Sequence, residues 1–273
     1  MLAADNSERL RSTMTLVLLA CLPGVLTLLW QHGWGMLFNL LLCAIAALAT
    51  EAVLLKVQQR PVLPSLSDGS ALVSATLLAV ALPAYAPWWV AAIATASAIA
   101  LGKQLYGGVG KNLFNPAMLG YAVVLLTFPQ HMTQWPGAQL LDLGSSLHHV
   151  FGLRSGQPDA WAQATVLDGL RNNRSLTIDE LFTRHPGFGH FGGKGSEWVN
   201  LAFLFGGLLL LQRKVFTWHA PVGLLGSLFV ISLLFWNGSG SDSNGSPLLH
   251  LLSGSTMLAA FFIATEPVSG PKS

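Results

Sequence analysis

Hydrophobic and polar positions fall in long blocks along this chain. Apolar runs cover about Met14–Trp30 and Trp34–Leu55, joined by the turn Gln31-His32-Gly33. A third run, about Ser70–Leu82, ends in a turn from Pro83 to Pro87, and a fourth follows at Trp88–Gly102. A fifth spans about Pro116–Phe128. A polar segment of roughly residues 130–195 intervenes before three more runs, Trp198–Gln212, Ala220–Trp236 and Leu248–Ala264. The pattern predicts an all-α polytopic membrane protein of about eight transmembrane helices. A full crossing takes about 20 residues, so the third, fourth and fifth runs are either tilted or half-helices broken within the membrane. The expected organisation is a first transmembrane half at 1–129, a polar segment at 130–197, and a second half at 198–273.

Composition sharpens this reading. The 273 residues are 52% hydrophobic and 10% charged, against about 25% charged in an average soluble domain. A net charge of +2, with no basic run interleaved with aromatics, excludes a nucleic-acid partner. Arg9 and Arg11 precede the first run and no small-residue cleavage site follows it, so that run is expected to be a retained anchor. Cys21 and Cys43 both lie in apolar runs and are read as buried small hydrophobes.

The positive charges set an orientation. With the N-terminus cytoplasmic, Arg9, Arg11, Lys56, Arg60, Lys103, Lys111, Arg213, Lys214 and Lys272 lie on the inside. The connections at 31–33, 83–87 and 237–247 contain no Lys or Arg. The polar segment then faces out. Seven of the nine tryptophans sit at or just beyond run ends, as an interfacial belt requires. Ala71–Ala79 weakly echoes Leu251–Ala259, and an odd number of spans between such equivalents inverts one against the other, as in inverted-repeat transport folds.

Several stretches could carry chemistry. In Gly102–Met118, three glycines relax the backbone, and Asn115-Pro116 has the form of a helix N-cap followed by proline at the first helical position. A helix start there, near Lys103 and Lys111, could hold an anionic group; a tight inside loop explains the same residues. A phosphate-loop reading fails, because Leu105 and Asn112 stand where glycine and Ser or Thr are needed. Glu51 lies about a turn from the inner end of the second run, close enough to snorkel, although intramembrane acids are functional candidates by default. Asp68 and Glu266 read as solvated or capping residues. His148, His149, His185 and His190 lack metal-ligand spacing, so no metal site is expected. Asn173, Asn237 and Asn244 each begin a glycosylation-type triplet, a pattern common by chance. The stretch Asp159-Ala160-Trp161-Ala162-Gln163-Ala164-Thr165 offers a hydroxyl between small residues in an outside segment. On spacing alone it is nearly uninformative.

Taken together and in order, Asp68–Ala79, Lys103–Tyr121, Asp159–Asp168 and His250–Pro267 resemble the D-type membrane component of the bacterial Rnf ion-translocating electron-transport complex. More distantly they resemble the B-type component of the sodium-pumping NADH:quinone oxidoreductase. The most recognisable block reads Lys103-Gln104-Leu105-Tyr106-Gly107-Gly108, then Asn112-Leu113-Phe114-Asn115-Pro116-Ala117-Met118. The resemblance implies FMN esterified through its phosphate to Thr165 by a flavin transferase. Asp159, Gln163 and Ala164 would belong to the transferase's recognition pattern. Ala162 replaces the usual serine of that pattern, and Val166 replaces the proline that commonly follows the threonine. A second, noncovalent flavin near Asn115 is implied by analogy, and Trp161 could shield the tethered ring or simply pack. The family continues for about two more helices, so this chain resembles a five-plus-five inverted-repeat fold cut short.

The expected function is that of a flavin-carrying subunit of a redox-driven Na⁺ or H⁺ pump in the bacterial inner membrane. It would work with the other components of the complex, membrane lipid and the transferase, coupling electron transfer between NADH and ferredoxin to ion movement. No protein side chain is expected to be catalytic, since the flavin carries the redox chemistry. A solute or ion permease without a redox role, or a scaffold component that has lost its flavin, would use the same apolar pattern.

Overall fold

The structure, a computed structural model, describes residues 2–137, 140–152, 162–173 and 175–266. It is mostly helical. In chain order the helices are α1 (Leu2–Val57), α2 (Val62–Leu66), α3 (Ser70–Ala81), α4 (Trp88–Gly102), α5 (Pro116–Thr127), α6 (Pro129–Met132), α7 (Leu143–Phe151), α8 (Val166–Asn172), α9 (Ile178–Arg184), α10 (Ser196–Gln212), α11 (His219–Leu234), α12 (Pro247–Leu252) and α13 (Thr256–Leu258). A π-helical turn, Ala259–Ile263, follows α13. Two short strands, β1 (Trp135–Pro136) and β2 (Ala162–Gln163), pair antiparallel.

The first two apolar runs are one continuous helical stretch, broken at Gly33 (φ 53°, ψ −125°). That geometry is open to glycine and strained for other residues, so the reversal is concentrated at one position and not spread over Gln31–Gly33. Met14 and Glu51 lie at nearly equal distances along the chain from Gly33, and both come to the surroundings of Lys103. The two arms of α1 therefore run antiparallel. By length and apolar composition, Glu8–Val57 alone among the described helices passes as long enough to cross a membrane. Ser70–Ala81, Pro116–Thr127, Ser196–Gln212 and His219–Leu234 are shorter apolar helices. The three runs expected to be short are so: α3, α4 and α5 have 12, 15 and 12 residues. The eighth run is interrupted at Ser253-Gly254-Ser255, between α12 and α13. Its expected partner in the sequence echo, α3, is continuous.

Helices α3, α4 and α10 pack along α1, and α5 packs on α4. Small residues set these approaches, as they do where apolar surroundings remove the hydrophobic drive between helices. A methyl group at Gly24 would enter the Phe203 ring, at Gly206 the Ala20 carbonyl, and at Gly120 the Ala94 carbonyl. By contrast, Gly223 and Gly226 on α11 face open space, and α11 leaves Val222, Phe229, Val230 and Leu234 exposed. Gly206→Ala is expected to destabilise the bundle by about 1–3 kcal/mol through overpacking against backbone. Gly223→Ala should be neutral or slightly stabilising. Thermal unfolding of the two variants in one detergent compares them directly; equal midpoints would mean the α1–α10 crossing is looser than described.

The connections sort to two ends. At one end Tyr85 donates to the His32 carbonyl at 2.9 Å, and Gln31 donates to the Gly195 carbonyl at 2.6 Å. Phe38 meets Phe151 edge-on, and Ile178 donates its backbone N–H to the Ser239 carbonyl. The turns near 31–33, 83–87 and 237–247 and the polar segment thus share one end. At the other, Arg60 donates to the Gly107 carbonyl at 3.1 Å, and Lys103 lies beside Ser70. The three short turns without Lys or Arg thus lie opposite Arg60 and Lys103, while the polar segment, which carries Arg171, Arg184 and Lys194, shares the end of those turns.

Candidate functional site

The polar segment builds a small platform. Its core is Val166, Leu181, Phe188 and Leu249, so α8 and α9 are pinned to the start of α12. β2 is tied to β1 in the register Trp135 with Gln163 and Pro136 with Ala162. Between that strand and buried Val166 only Ala164 and Thr165 remain, and this short link orients the threonine. Gln163 and Ala164 are exposed, and Thr165 is half-buried. Asp159 and Trp161 lie outside the described residues.

Thr165 is the N-cap of α8. Its hydroxyl oxygen accepts from the Asp168 backbone N–H at 3.2 Å, and the hydroxyl donates to Asp168 Oδ2 at 2.7 Å. The second bond is charge-assisted and short. Asp168 is absent from the expected site residues, although a Thr with an acidic residue three positions later is a legible helix-start pattern. The next helix, α9, begins with a closed capping box. Thr177 donates its backbone N–H (2.9 Å) and its hydroxyl (3.1 Å) to Glu180 Oε2, and the Glu180 N–H donates back to Thr177 Oγ1 at 3.3 Å. The Thr177 N–H, and then its hydroxyl, hold the Glu180 carboxyl below its ordinary range. A depressed carboxyl stabilises the fold above its unfolded value, and the contribution is lost as pH falls through the folded value. The protection factor of the Thr177 amide, its exchange corrected for the intrinsic slowing at lower pH, is therefore expected to fall on acidification, and that fall should shrink in Glu180→Gln; an unchanged profile would mean the box does not hold α9.

Two of the histidines of this segment have local partners. His185 Nδ1 accepts from the Gly187 N–H at 3.2 Å, and His149 packs against Tyr85. Among the described residues no three His, Cys, Asp or Glu side chains converge as a metal site would require.

A second polar constellation lies at the basic end. Lys103 Nζ is 2.5 Å from Glu51 Oε1 and donates to Ser70 Oγ at 2.6 Å. Gln104 Nε2 donates to the same Glu51 oxygen at 2.8 Å. Asp68 Oδ1 accepts from the Ser70 N–H at 2.7 Å and from its hydroxyl at 2.5 Å. Asp68 thus bonds to the first residue of α3 from one position before the N-cap, Gly69, which has no side-chain cap. Glu51 is not a snorkelling surface acid: its side chain is 1% exposed and that of Lys103 is 4% exposed. Glu51 Oε2 and Gln104 Oε1 have no hydrogen-bond partner among the described residues.

Asn115 caps α5 as expected, accepting from the Ala117 and Met118 N–H groups at 3.0 and 3.4 Å. Its Nδ2 donates to the Ile263 carbonyl at 3.4 Å, which ties the α5 start to the π-helical turn. Ser70, Lys103, Asn112, Asn115 and Glu266 line a cavity of about 20 Å³. A space of that size accommodates water and not an isoalloxazine ring. Lys111 stands apart from this cavity, beside Gly107. The structure therefore brings Lys103, Asn112 and Asn115 of one stretch to a common cavity, and adds Ser70 and Glu51, which no local motif connects to them.

Residues 3–273 match the model of the NQR2, RnfD, RnfE family. A protein of Ectopseudomonas mendocina (strain ymp), named as the D component of an ion-translocating oxidoreductase complex, is 60% identical over 270 residues, covering 99% of this chain and 78% of the relative. Its namesake in Pseudomonas aeruginosa (strain LESB58) is 60% identical over 271 residues, with the same coverage. One from Cellvibrio japonicus (strain Ueda107) is 47% identical over 276 residues, covering 97% of this chain and 77% of the relative. The chain belongs to the NQR2, RnfD, RnfE family.

Proposed function

We propose that the chain is a flavin-carrying membrane subunit of an ion-translocating oxidoreductase complex, in which electron transfer between NADH and ferredoxin drives Na⁺ or H⁺ across the bacterial inner membrane. The names of its relatives support the redox-linked pump. The observation that carries the flavin assignment is the presentation of Thr165. Its hydroxyl stands half-buried after two exposed residues, Gln163 and Ala164, on a platform that shares its end with the three short turns lacking Lys and Arg. An FMN phosphate joined to Thr165 Oγ1 would sit at the start of α8. When bound, the flavin supplies the electron-accepting chemistry, and the protein supplies position and surroundings. Thr165 tethers, β1 and β2 hold the approach, and the Val166 cluster keeps α8 from turning.

A second, noncovalent flavin beside Asn115 has suitable polar neighbours in Ser70 and Asn112. The present cavity does not fit it, so binding there calls for α3 and α5 to part. The absence of Lys and Arg from the turns at 31–33, 83–87 and 237–247 supports an outward-facing platform. The interrupted run at 247–263 and the buried Glu51–Lys103 pair would equally serve a permease without a redox role, and Ala162 in the attachment pattern would suit a flavin-free scaffold.

The deciding experiment coexpresses the chain with a competent flavin transferase and inspects a denaturing gel for flavin fluorescence. A fluorescent band is the expected result. A dark band, from chain that has inserted and folded, removes the flavin reading and leaves the permease and the scaffold.

A further inference from the structure

The two threonine-capped helices of the platform use their acidic partners differently. At α9 the Glu180 carboxylate takes both the backbone N–H and the hydroxyl of Thr177, closing the box on the main chain. At α8 the carboxylate of Asp168 is directed to the Thr165 hydroxyl alone, and the bond is shorter, 2.7 Å against 3.1 Å. One side-chain methylene separates the two acids, and the shorter one serves the hydroxyl and not the backbone. Asp168 is exposed, and so are Gln163 and Ala164 before the threonine. An exposed carboxylate held against one half-buried hydroxyl, next to two exposed residues, has the geometry of a base paired with a nucleophile.

We propose that Asp168 aligns the Thr165 hydroxyl and accepts its proton during flavin attachment; the inference rests on the flavin reading above. The phosphoryl donor is flavin adenine dinucleotide, delivered by the transferase. Thr165 Oγ1 attacks the phosphorus of the FMN half, forming the Oγ–P bond. The bond from that phosphorus to the bridging oxygen breaks, and AMP leaves with its electron pair. The hydroxyl proton passes to Asp168 Oδ2 and on to water, and no atom changes oxidation state. The esterified product has no hydroxyl hydrogen left to donate, so an Asp168 side chain open to solvent returns to it at no burial cost.

The test follows the appearance of in-gel flavin fluorescence with time, using the membrane-inserted full chain, purified transferase and flavin adenine dinucleotide. Asp168→Asn keeps an acceptor oxygen facing the hydroxyl, and hence the cap, while losing the base. The initial rate is expected to fall by about 100-fold or more, the low end of a general-base contribution. Asp168→Glu restores a carboxylate and should recover much of the rate. Glu180→Gln, the same type of change in the neighbouring box, should leave it unaltered. Limited proteolysis across 162–173 reports whether α8 stays formed. A dark wild-type band would overturn the flavin reading itself. A fluorescent wild type with Asp168→Asn labelled at the same rate would leave that reading intact and overturn the role of Asp168. Slow labelling in both Asp168 variants, with α8 newly cleaved, would make Asp168 a structural cap and likewise overturn it.

Discussion

Thr165→Val is expected to give a band with no flavin fluorescence while the chain still inserts, and Thr165→Ser to keep the fluorescence. Valine has the shape of threonine without the hydroxyl, so no phosphoester can form. The variant also loses the N-cap of α8, which the Asp168 N–H reaches at 3.2 Å. Removal of such a cap costs about 1 kcal/mol. That is too little to unfold a platform pinned through Val166, Leu181, Phe188 and Leu249. Loss of label and loss of structure are therefore separable, and serine, which retains both hydroxyl and cap, separates them further. Fluorescence that persists in the valine variant would place the flavin on another residue.

Lys103→Ala is expected to destabilise the helical bundle by about 3–5 kcal/mol, since it leaves a buried carboxylate without its counter-charge. The Glu51 side chain is 1% exposed and Lys103 Nζ stands 2.5 Å from it. The Gln104 amide at 2.8 Å cannot neutralise the charge that remains. Removing both charges, in Glu51→Leu with Lys103→Met, should recover most of the loss, because an apolar pair of similar volume avoids the desolvation that the ion pair incurs. Unfolding midpoints in one detergent, compared as a double-mutant cycle, measure the coupling. Additive losses would show that the two residues do not depend on each other. If the double variant is stable yet fails to support ion movement in the assembled complex, the pair is kept for function and not for folding.

Much of this was readable along the chain. The apolar blocks marked where helices lie, and the shortness of α3, α4 and α5 follows from counting residues. Asn115-Pro116 announced a helix start because capping is a local interaction, decided within one turn. Gly33 was legible as a turn, though not as the single residue carrying a reversal inside otherwise helical backbone. The spread of Lys and Arg anticipated the two-ended arrangement of loops, since charges are excluded from the apolar layer and collect at its borders. Asp168 was also within reach, because its partner is three residues away.

Glu51 shows where such reading stops. From the chain alone it is an acid near a helix end, free to bend toward water. Its partner Lys103 is 52 residues later, at the end of α4, and Ser70 comes to the same place from a third segment, at the start of α3. Long-range pairing depends on how α1 folds back at Gly33 and on how closely Gly24, Gly120 and Gly206 let the helices approach. The interruption at Ser253-Gly254-Ser255 is of the same kind. The eighth run carries Ser253-Gly254-Ser255-Thr256 between apolar stretches, and the break there is sustained from a distant helix by Asn200, which donates to the Leu252 and Gly254 carbonyls and accepts from the Met257 N–H. The sequence by itself determined the helical class, the capped helix starts and the hydroxyl of Thr165, all properties of neighbouring residues. Tertiary structure decided which buried charges meet and which helix is broken, because those outcomes depend on packing between segments distant in the chain.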